Sequence, residues 1–599
     1  MFGGVSPACT IERRSDPVKL ERSIGAVIGG LLTLSLLLGT GVETASAQWG
    51  PVLSTGTTQQ APLLPGPVCS GEPGDPACGC DPEVQDCGCT SIQVSKGAST
   101  DGSVMTAHSC DGNYRTWLQI EPARENAPGA MRPIYWGKLH TETPDDMRRM
   151  RLKGEIPEVA ETYRYFNVAY PAMNEKGLAI GETTIGGRRE LRNDEGMFLI
   201  ENLQALVLER TTTARDAIKL IGELVKEYGY GDTGECLTFA DAKEVWHFEI
   251  MGGGPFELGG VWAAVRIPEG QVGVSANIPR ISTLDLDDPD HYMASDNVHS
   301  LAEEMGWWNS DSGEEFKWWK AYGSMDRQTG EPRPPYSTRE FFILSTLAPS
   351  LNLTMEMEEL PFSVVPDEKV SVQKVLAYYR ETYEGTEFDV TKNMLIPNRY
   401  AQSPDDPEMV KSPMVDPWSL GRDWGQLMNS LAPGSVEPVR VIAVQQCSYS
   451  QIIQARDWLP PEIGTVAYFS FDNPGQSPRI PVYAGTLSLP ESFKIDCQHS
   501  YREDAACWSI RRTNRLSQIK WGWAREYLEP AVLEFEEQMF MEQPLIEGKA
   551  VELMEAEGGA DPMEFRTFLT RYTNNWAGAT MQQWEELGDF FWAYYARGW

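Results

Sequence analysis

Histidine is scarce in this chain, with six residues in 599, and no two stand at the spacing that binds a metal ion. The H-E-x-x-H motif, the G-x-S-x-G turn of many serine hydrolases and the G-x-x-x-x-G-K phosphate loop are all missing. These absences disfavour a zinc hydrolase, a serine hydrolase of that type and a P-loop nucleotide-binding protein. The sequence therefore predicts neither a metal nor a cofactor.

Basic residues are also few, with 51 Lys and Arg against 86 Asp and Glu and a net charge of −35. A surface this acidic repels phosphate backbones, so we expect no nucleic-acid partner. The hydrophobic fraction is 41% and the aromatic fraction 10%, so the chain can bury large cores.

Long apolar runs are absent after the first 47 residues, which leaves one candidate for a membrane segment. Basic residues precede an uncharged stretch from Ile24 to Val42, and the small-x-small pattern Ala45-Ser46-Ala47 follows it. This order predicts a cleaved signal peptide over 1–47 and export to the periplasm, cell surface or medium. The alternative is an uncleaved anchor, the only case in which we expect membrane contact.

Residues 48–88 are rich in Pro and Gly and contain four cysteines, at positions 69, 78, 80 and 87. The prolines exclude long helices, so we interpret this stretch as a linker or pro-segment. In an exported protein the four cysteines indicate disulfides with three alternative pairings, and a small metal site is the less favoured interpretation.

The pattern changes at Cys89, where a domain spanning 89–599 is predicted to begin. Strand patterns at 90–94, 104–107, 165–170 and 178–184 precede two helical patterns, and strands return after 237. This order indicates an α+β fold with helices layered on antiparallel sheets. An acidic insert near 285–438 and a helical C-terminal part from about 515 complete the predicted domain. The sequence is also compatible with a homo-oligomer.

One segment carries a recognisable pattern. It begins Cys89-Thr90-Ser91-Ile92, passes through Asp101-Gly102-Ser103 and ends Ala107-His108-Ser109-Cys110-Asp111-Gly112. The segment resembles the opening of the dipeptidase A and secernin family of peptidases, whose mature chains begin Cys-Thr and reach an Asp after a second strand. Similarity to that family continues over most of the remaining chain, at 170–184, 209–218, 228–230, 240–246, 276–281 and 454–464.

The resemblance implies the αββα sandwich of the N-terminal-nucleophile hydrolases, in which cleavage after Gly88 frees Cys89 as the catalytic nucleophile. The pKa of an α-amine is about 8 and that of a thiol about 8.5, so the freed amine can accept the thiol proton and no histidine is needed as the base. On cysteine content alone, Cys89 is instead a structural cysteine paired with Cys87 or Cys110.

Four further residues are candidates for the site. Asp111, at the end of the partner strand, would orient the α-ammonium or a substrate amine. Asn277 would donate its amide to an oxyanion, and Arg280 would hold a substrate carboxylate. His108 stands where some family members carry Arg, and we place it in the substrate-binding set. The alternatives are an Asp-Gly turn for Asp111 and an ordinary strand end for Asn277.

We therefore expect an exported cysteine dipeptidase that hydrolyses dipeptides or short peptides through an acyl-enzyme. Two alternatives stay open. One is an acylase of non-peptide amides such as penicillin V or conjugated bile acids, and the other is an exported binding protein of the secernin type. A requirement for a free substrate α-amine would separate the dipeptidase from the acylase.

Overall fold

The computed structural model describes residues 88–256, 258–326, 329–399, 401–421, 423–556 and 563–598. The predicted signal peptide and all of the predicted pro-segment except Gly88 lie outside the described residues. No helix within these ranges is both long enough and apolar enough to cross a bilayer.

Most strands belong to two antiparallel sheets. In chain order the strands are β1 Thr90–Val94, β2 Val104–Asp111, β3 Gln119–Glu121, β4 Arg124–Glu125, β5 Met131–Trp136, β6 Arg151–Pro157, β7 Glu161–Thr162, β8 Tyr165–Asn167, β9 Met173–Asn174, β10 Ala179–Thr184, β11 Glu235–Ala240, β12 Val245–Gly252, β13 Gly260–Arg266, β14 Val272–Ser275, β15 Tyr292–Ala294, β16 Ser363–Val364, β17 Leu395–Pro397, β18 Met409–Lys411, β19 Cys447–Ala455, β20 Val466–Phe471 and β21 Ile480–Tyr483. A seven-stranded sheet has the order β16-β14-β1-β2-β19-β20-β21, and an eight-stranded sheet has the order β15-β13-β12-β11-β10-β9-β8-β3.

The helices lie against these sheets and in the segments around them. In chain order they are α1 Ile200–Arg210, α2 Ala214–Tyr228, α3 Ser300–Glu304, α4 Trp318–Tyr322, α5 Thr338–Leu347, α6 Val372–Tyr379, α7 Asp423–Leu431, α8 Pro461–Gly464, α9 Ala506–Gln518, α10 Trp521–Ala556 and α11 Met563–Ala596. Helices α1 and α2 contact the eight-stranded sheet, whereas α5, α6, α9 and α11 contact the seven-stranded sheet. The α+β class predicted from the strand and helix patterns is confirmed.

The two sheets face each other across a layer that is polar as well as apolar. The Ser91 hydroxyl of β1 donates to the carbonyl of Glu182 in β10 at 3.0 Å. Thr183 of β10 and Ser275 of β14 share a hydroxyl hydrogen bond of 2.7 Å. Because side chains alternate along a strand, Cys89 lies on the same face as Ser91 and points into this layer. The fold therefore places Cys89 between two sheets and not on a surface loop.

Asp472, which directly follows β20, joins the seven-stranded sheet to α9. Its buried carboxylate accepts from Arg511 Nε at 3.0 Å, from Asn514 Nδ2 at 2.9 Å and from Arg515 Nη2 at 3.1 Å. Removing one partner of a buried ion pair leaves the others without compensation, which costs far more than removing an exposed pair.

We expect Asp472→Ala to lower the free energy of unfolding by about 3 kcal/mol, because two guanidinium groups lose their carboxylate. The matched control is Asp504→Ala, whose ion pair with Arg502 is exposed and should contribute less than about 1 kcal/mol. Urea unfolding of both variants measures the difference, and equal stabilities would contradict this account of Asp472.

Candidate active site

Cys89 lies directly before β1, with 2% of its surface exposed. Its thiol is free, as is that of Cys110 in the neighbouring strand β2, so the two do not form the disulfide considered above. The Cys89 thiol faces the carboxylate of Glu182 in β10, with 3.6 Å between Sγ and Oε2. Burial, followed by the charges of Glu182 and Asp111, raises the pKa of this thiol.

Two guanidinium groups hold the backbone on either side of the bond between Gly88 and Cys89. Arg440 Nη2 donates to the Gly88 carbonyl at 3.1 Å, and Arg339 Nη1 donates to the Cys89 carbonyl at 2.7 Å. A β-carbon at position 88 would press against Oδ1 of Asn277, so any larger residue there would have to displace that side chain. The carbonyl that self-cleavage would attack is therefore fixed and polarised by a positive charge.

Asp111 ends β2 beside this bond, as its predicted role requires. Its Oδ2 accepts from Arg440 Nη2 at 2.9 Å and from the Ser109 hydroxyl at 3.1 Å. Its Oδ1 is buried and makes no hydrogen bond of normal geometry among the described residues, and the Cys447 thiol lies close to the same carboxylate. Burial raises the pKa of Asp111, while the charge of Arg440 opposes that rise. One carboxylate oxygen is thus available for a further donor close to Cys89.

Glu182 belongs to a row of buried carboxyl groups that leads away from Cys89. Burial raises the pKa of Glu182 to about 7. Burial and the neighbouring charges of Glu182 and Asp232 raise the pKa of Glu235 well above its ordinary value. A carboxyl group that titrates near neutral pH can both accept and donate a proton there, as a general base must. This cluster is the strongest electrostatic feature beside the thiol.

His108, in β2, packs against the same carboxylate. Its Nδ1 hydrogen-bonds the Glu182 carbonyl and lies 3.7 Å from Glu182 Oε2. Burial lowers the pKa of His108 to about 4, so the ring is neutral at pH 7. Donor atoms of Cys89, His108 and Glu182 lie within 4.8 Å of one another, a set that could hold a metal ion.

Asn277 lies next to the site, just after β14, in the left-handed backbone region with φ 68°. Its Oδ1 accepts from Arg339 Nη2 at 2.9 Å, and its Nδ2 donates to the Thr184 carbonyl at 2.6 Å. The amide predicted to stabilise an oxyanion therefore already donates to a backbone carbonyl.

The structure does not bring Arg280 into this group. Its buried guanidinium donates to the carbonyls of Pro335 and Pro361, and its backbone N–H donates to Glu249 at 2.5 Å. These bonds tie loops to the eight-stranded sheet. The guanidinium groups that do lie beside Cys89 belong to Arg339 and Arg440.

Sequence reasoning missed Arg339, Arg440 and Glu182. Only Glu182 has a local signal, because it is a carboxylate within the apolar strand pattern at 178–184. Arg339 lies in α5 and Arg440 in a loop before β19, hundreds of residues from Cys89, and neither stands in a distinctive motif.

Comparison with known proteins identifies the family of this chain. A profile of Peptidase family C69 matches residues 88–532, which begins at the glycine beside the candidate nucleophile. The chain therefore belongs to Peptidase family C69, and the resemblance noted in the sequence is confirmed. Helix α10 beyond residue 532 and helix α11 lie outside the matched region.

Several relatives have peptidase names. The chain is 26% identical to a "Probable dipeptidase" of Salmonella dublin, over 72% of this chain and 90% of the relative. It is 26% identical to a "Probable dipeptidase" of Latilactobacillus sakei, over 68% and 76%. It is 23% identical to "Dipeptidase A" of Lactobacillus helveticus, over 68% and 77%. The family and these relatives indicate a peptidase.

The neutral state of His108 predicts a pH dependence of stability. Between pH 6.5 and about 4 the unfolded chain binds a proton at this histidine that the folded chain does not. Folding stability should therefore fall as the pH falls through this window, by up to about 3 kcal/mol from His108 alone. Comparing urea unfolding of wild type and His108→Gln at pH 7.5 and 4.5 isolates this contribution. An unchanged difference between the two proteins would contradict it.

Proposed function

We propose that this chain is an exported cysteine dipeptidase of the N-terminal-nucleophile type, which cuts itself between Gly88 and Cys89 and then uses the freed Cys89. The observation that carries the proposal is the arrangement around that bond. A thiol, a carboxylate and a guanidinium-bound carbonyl meet at the first residues of the region matched by the family profile. Two facing sheets with helices against each are consistent with the αββα sandwich of this class.

Self-cleavage would begin with proton transfer from the Cys89 thiol. In the uncut chain the nitrogen of Cys89 is an amide, which cannot act as a base, so another group must take this proton. Glu182 Oε2, at 3.6 Å from Sγ, is placed to do so. The thiolate then attacks the Gly88 carbonyl carbon, and Arg440 stabilises the oxyanion that forms there.

Collapse of this intermediate breaks the bond between the Gly88 carbon and the Cys89 nitrogen. The leaving nitrogen takes back the proton held by Glu182, which gives a free α-amine and a thioester between Gly88 and the Cys89 sulfur. Water hydrolyses the thioester, so that Gly88 ends as a carboxylate and Cys89 regains its thiol.

The mature residue then contains both base and nucleophile. Its α-amine takes the thiol proton, and the resulting ammonium can donate to Asp111 Oδ1, the oxygen that makes no hydrogen bond of normal geometry among the described residues. The thiolate attacks a substrate carbonyl, the substrate amine leaves with a proton, and water releases the acyl group. Dipeptides are the substrate class named for the relatives, which supports the same class here.

Export is supported by a second feature besides the N-terminal pattern. Cys497 and Cys507 form a disulfide that ties the segment before α9 to the helix itself. Disulfides persist mainly in oxidising compartments, which agrees with a protein that works outside the cytoplasm.

We expect Cys89→Ala to abolish both self-cleavage and dipeptide hydrolysis, because it removes the attacking sulfur. Intact mass and N-terminal sequencing should find wild type beginning at Cys89 and the variant still carrying Gly88. The matched control is Cys236→Ala, another buried free cysteine, which should be cut and active. Hydrolysis of dipeptides by the Cys89→Ala protein would refute the proposal.

Glu182→Gln should slow self-cleavage by about 100-fold, the usual scale for loss of a general base. In wild type the rate should rise with pH through about 7, because Glu182 accepts a proton only after losing its own. The variant should lose this dependence. Time courses of precursor cleavage by intact mass, from pH 5.5 to 8.5, measure both effects.

The control for this variant is Glu249→Gln, which removes another buried carboxylate of the eight-stranded sheet. Hydroxylamine, which cleaves thioesters, should accelerate chain cutting in wild type far more than in Glu182→Gln. If Glu182→Gln cleaves at the wild-type rate with the wild-type pH profile, another group is the base.

A further inference from the structure

Cys89 lies directly opposite a second free thiol, that of Cys110 in the neighbouring strand. The pairing of β1 with β2 continues past the first residue of β1, because the Gly88 N–H donates to the Asp111 carbonyl at 3.0 Å. Cys89 is therefore paired with Cys110 in the same register. Residues that are directly opposite on two antiparallel strands have their side chains on the same face. Both sulfur atoms thus point into the layer between the two sheets.

The position of this pair in the ladder suits a disulfide. The bond from Gly88 to Asp111 marks these two residues as a hydrogen-bonded pair, so the next pair, Cys89 and Cys110, is of the non-hydrogen-bonded kind. In such pairs the Cα atoms are about 4.5 Å apart, and disulfides occur at Cα separations of about 4.4–6.8 Å. A bond between the two sulfur atoms would therefore require little movement of either strand.

The other free cysteines of the described ranges are placed differently. Cys447 stands opposite Asp111 in the register of β19 and β2, and Cys236 lies in β11 of the eight-stranded sheet. Among these free thiols, the strand pairing sets only that of Cys110 directly across from Cys89.

The two paired thiols differ in their reactivity. Under the proposed self-cleavage, Cys89 becomes the N-terminal residue and its α-amine takes the thiol proton, which leaves the thiolate that an oxidant attacks. Cys110 has 0% of its surface exposed, and burial, followed by the charge of Cys89, raises its pKa well above the ordinary value. Cys110 therefore stays a protonated thiol, and an oxidant reaches it only through Cys89.

We propose that Cys110 is a resolving cysteine, which closes a reversible disulfide to Cys89 after a hydroperoxide has oxidised the nucleophile. The inference rests on the proposed function, because the α-amine of the mature chain is what makes Cys89 a thiolate. It goes beyond that function because it assigns a redox modification to the same site. The disulfide would withdraw the Cys89 sulfur from catalysis until a thiol reductant restores it.

With hydrogen peroxide as the oxidant, two thiols and one peroxide give one disulfide and two water molecules. The Cys89 thiolate attacks a peroxide oxygen, the O–O bond breaks, and the leaving hydroxide takes a proton from the α-ammonium. The Cys89 sulfur loses two electrons and becomes a sulfenic acid. The Cys110 sulfur then attacks the Cys89 sulfur, the S–O bond breaks, and the hydroxide leaves with the Cys110 proton as water.

Without Cys110, the sulfenic acid is open to a second peroxide. The product of that reaction is a sulfinic acid, which thiol reductants do not reverse. The structure therefore assigns to Cys110 a protective effect on Cys89, and recovery after oxidation is the property that reveals it.

The test treats mature wild type and Cys110→Ser with hydrogen peroxide and then with dithiothreitol, and measures dipeptide hydrolysis at each stage. Wild type should lose at least tenfold of its activity and regain most of it on reduction. Cys110→Ser should start at the wild-type activity, which also reports that it folds, lose as much and regain little. Mass mapping of unreduced peptides should find a bridge between Cys89 and Cys110 in treated wild type, and a sulfinic acid at Cys89 in the variant.

Cys110→Ala, which adds no hydroxyl group, should behave like Cys110→Ser. Matched controls are Cys236→Ala and Cys447→Ala, which remove other buried free thiols and should recover the same fraction of their own starting activity as wild type. Full recovery in both Cys110 variants, failed recovery in Cys447→Ala alone, or treated wild type without the bridge would overturn the inference.

The same samples separate this inference from the proposed function. If untreated wild type neither begins at Cys89 nor hydrolyses dipeptides, the proposed function fails, and the presence or absence of the bridge after peroxide still decides the inference. If untreated wild type is cut and active but forms no bridge to Cys110, only the inference fails.

Discussion

Two arginine side chains hold the carbonyl groups of consecutive residues, and the arrangement of the site depends on this contact. Arg440 binds the Gly88 carbonyl and Arg339 binds the Cys89 carbonyl, so a charged hydrogen bond holds each of two successive peptide units. The same guanidinium groups reach Asp111 and Asn277, which fixes the side chains around the bond as well. Positive charge at this position also balances the acidic interior beside it.

That acidic interior is the second organising feature. Glu182 and Glu235 are buried beside the Cys89 thiol, and the charge of the half-buried Asp232 acts on both of them. Neighbouring carboxyl groups cannot all ionise when water is excluded, which is why the pKa of each of these groups is raised. A carboxyl group that is partly ionised at neutral pH can accept a proton and later donate it. A purely apolar interior has no group that could transfer a proton in this way.

Local structure was predictable wherever neighbouring residues determine it. The strand at 90–94 is confirmed as β1, the strand at 104–107 is confirmed but continues to Asp111, and the two helical patterns are confirmed as α1 and α2. Charged partners from distant parts of the chain were not predictable. Arg280 lies within the family-like segment 276–281, which is what makes it a candidate, yet Arg339 from the acidic insert is the arginine beside Cys89. The hydrophobic pattern of a single sequence predicts local helices and strands. It does not predict which of two arginines will contact a given backbone carbonyl in the folded chain.

The arginine contacts also determine the order in which events can occur. Arg339 lies 250 residues after Cys89, and Arg440 lies 352 residues after Gly88. Under the proposed self-cleavage, a partly synthesised chain, or one held unfolded for transport, has no polarised carbonyl to attack. Cleavage would then occur only after the distant segments have folded against the site, and an incompletely folded molecule would stay an inactive precursor.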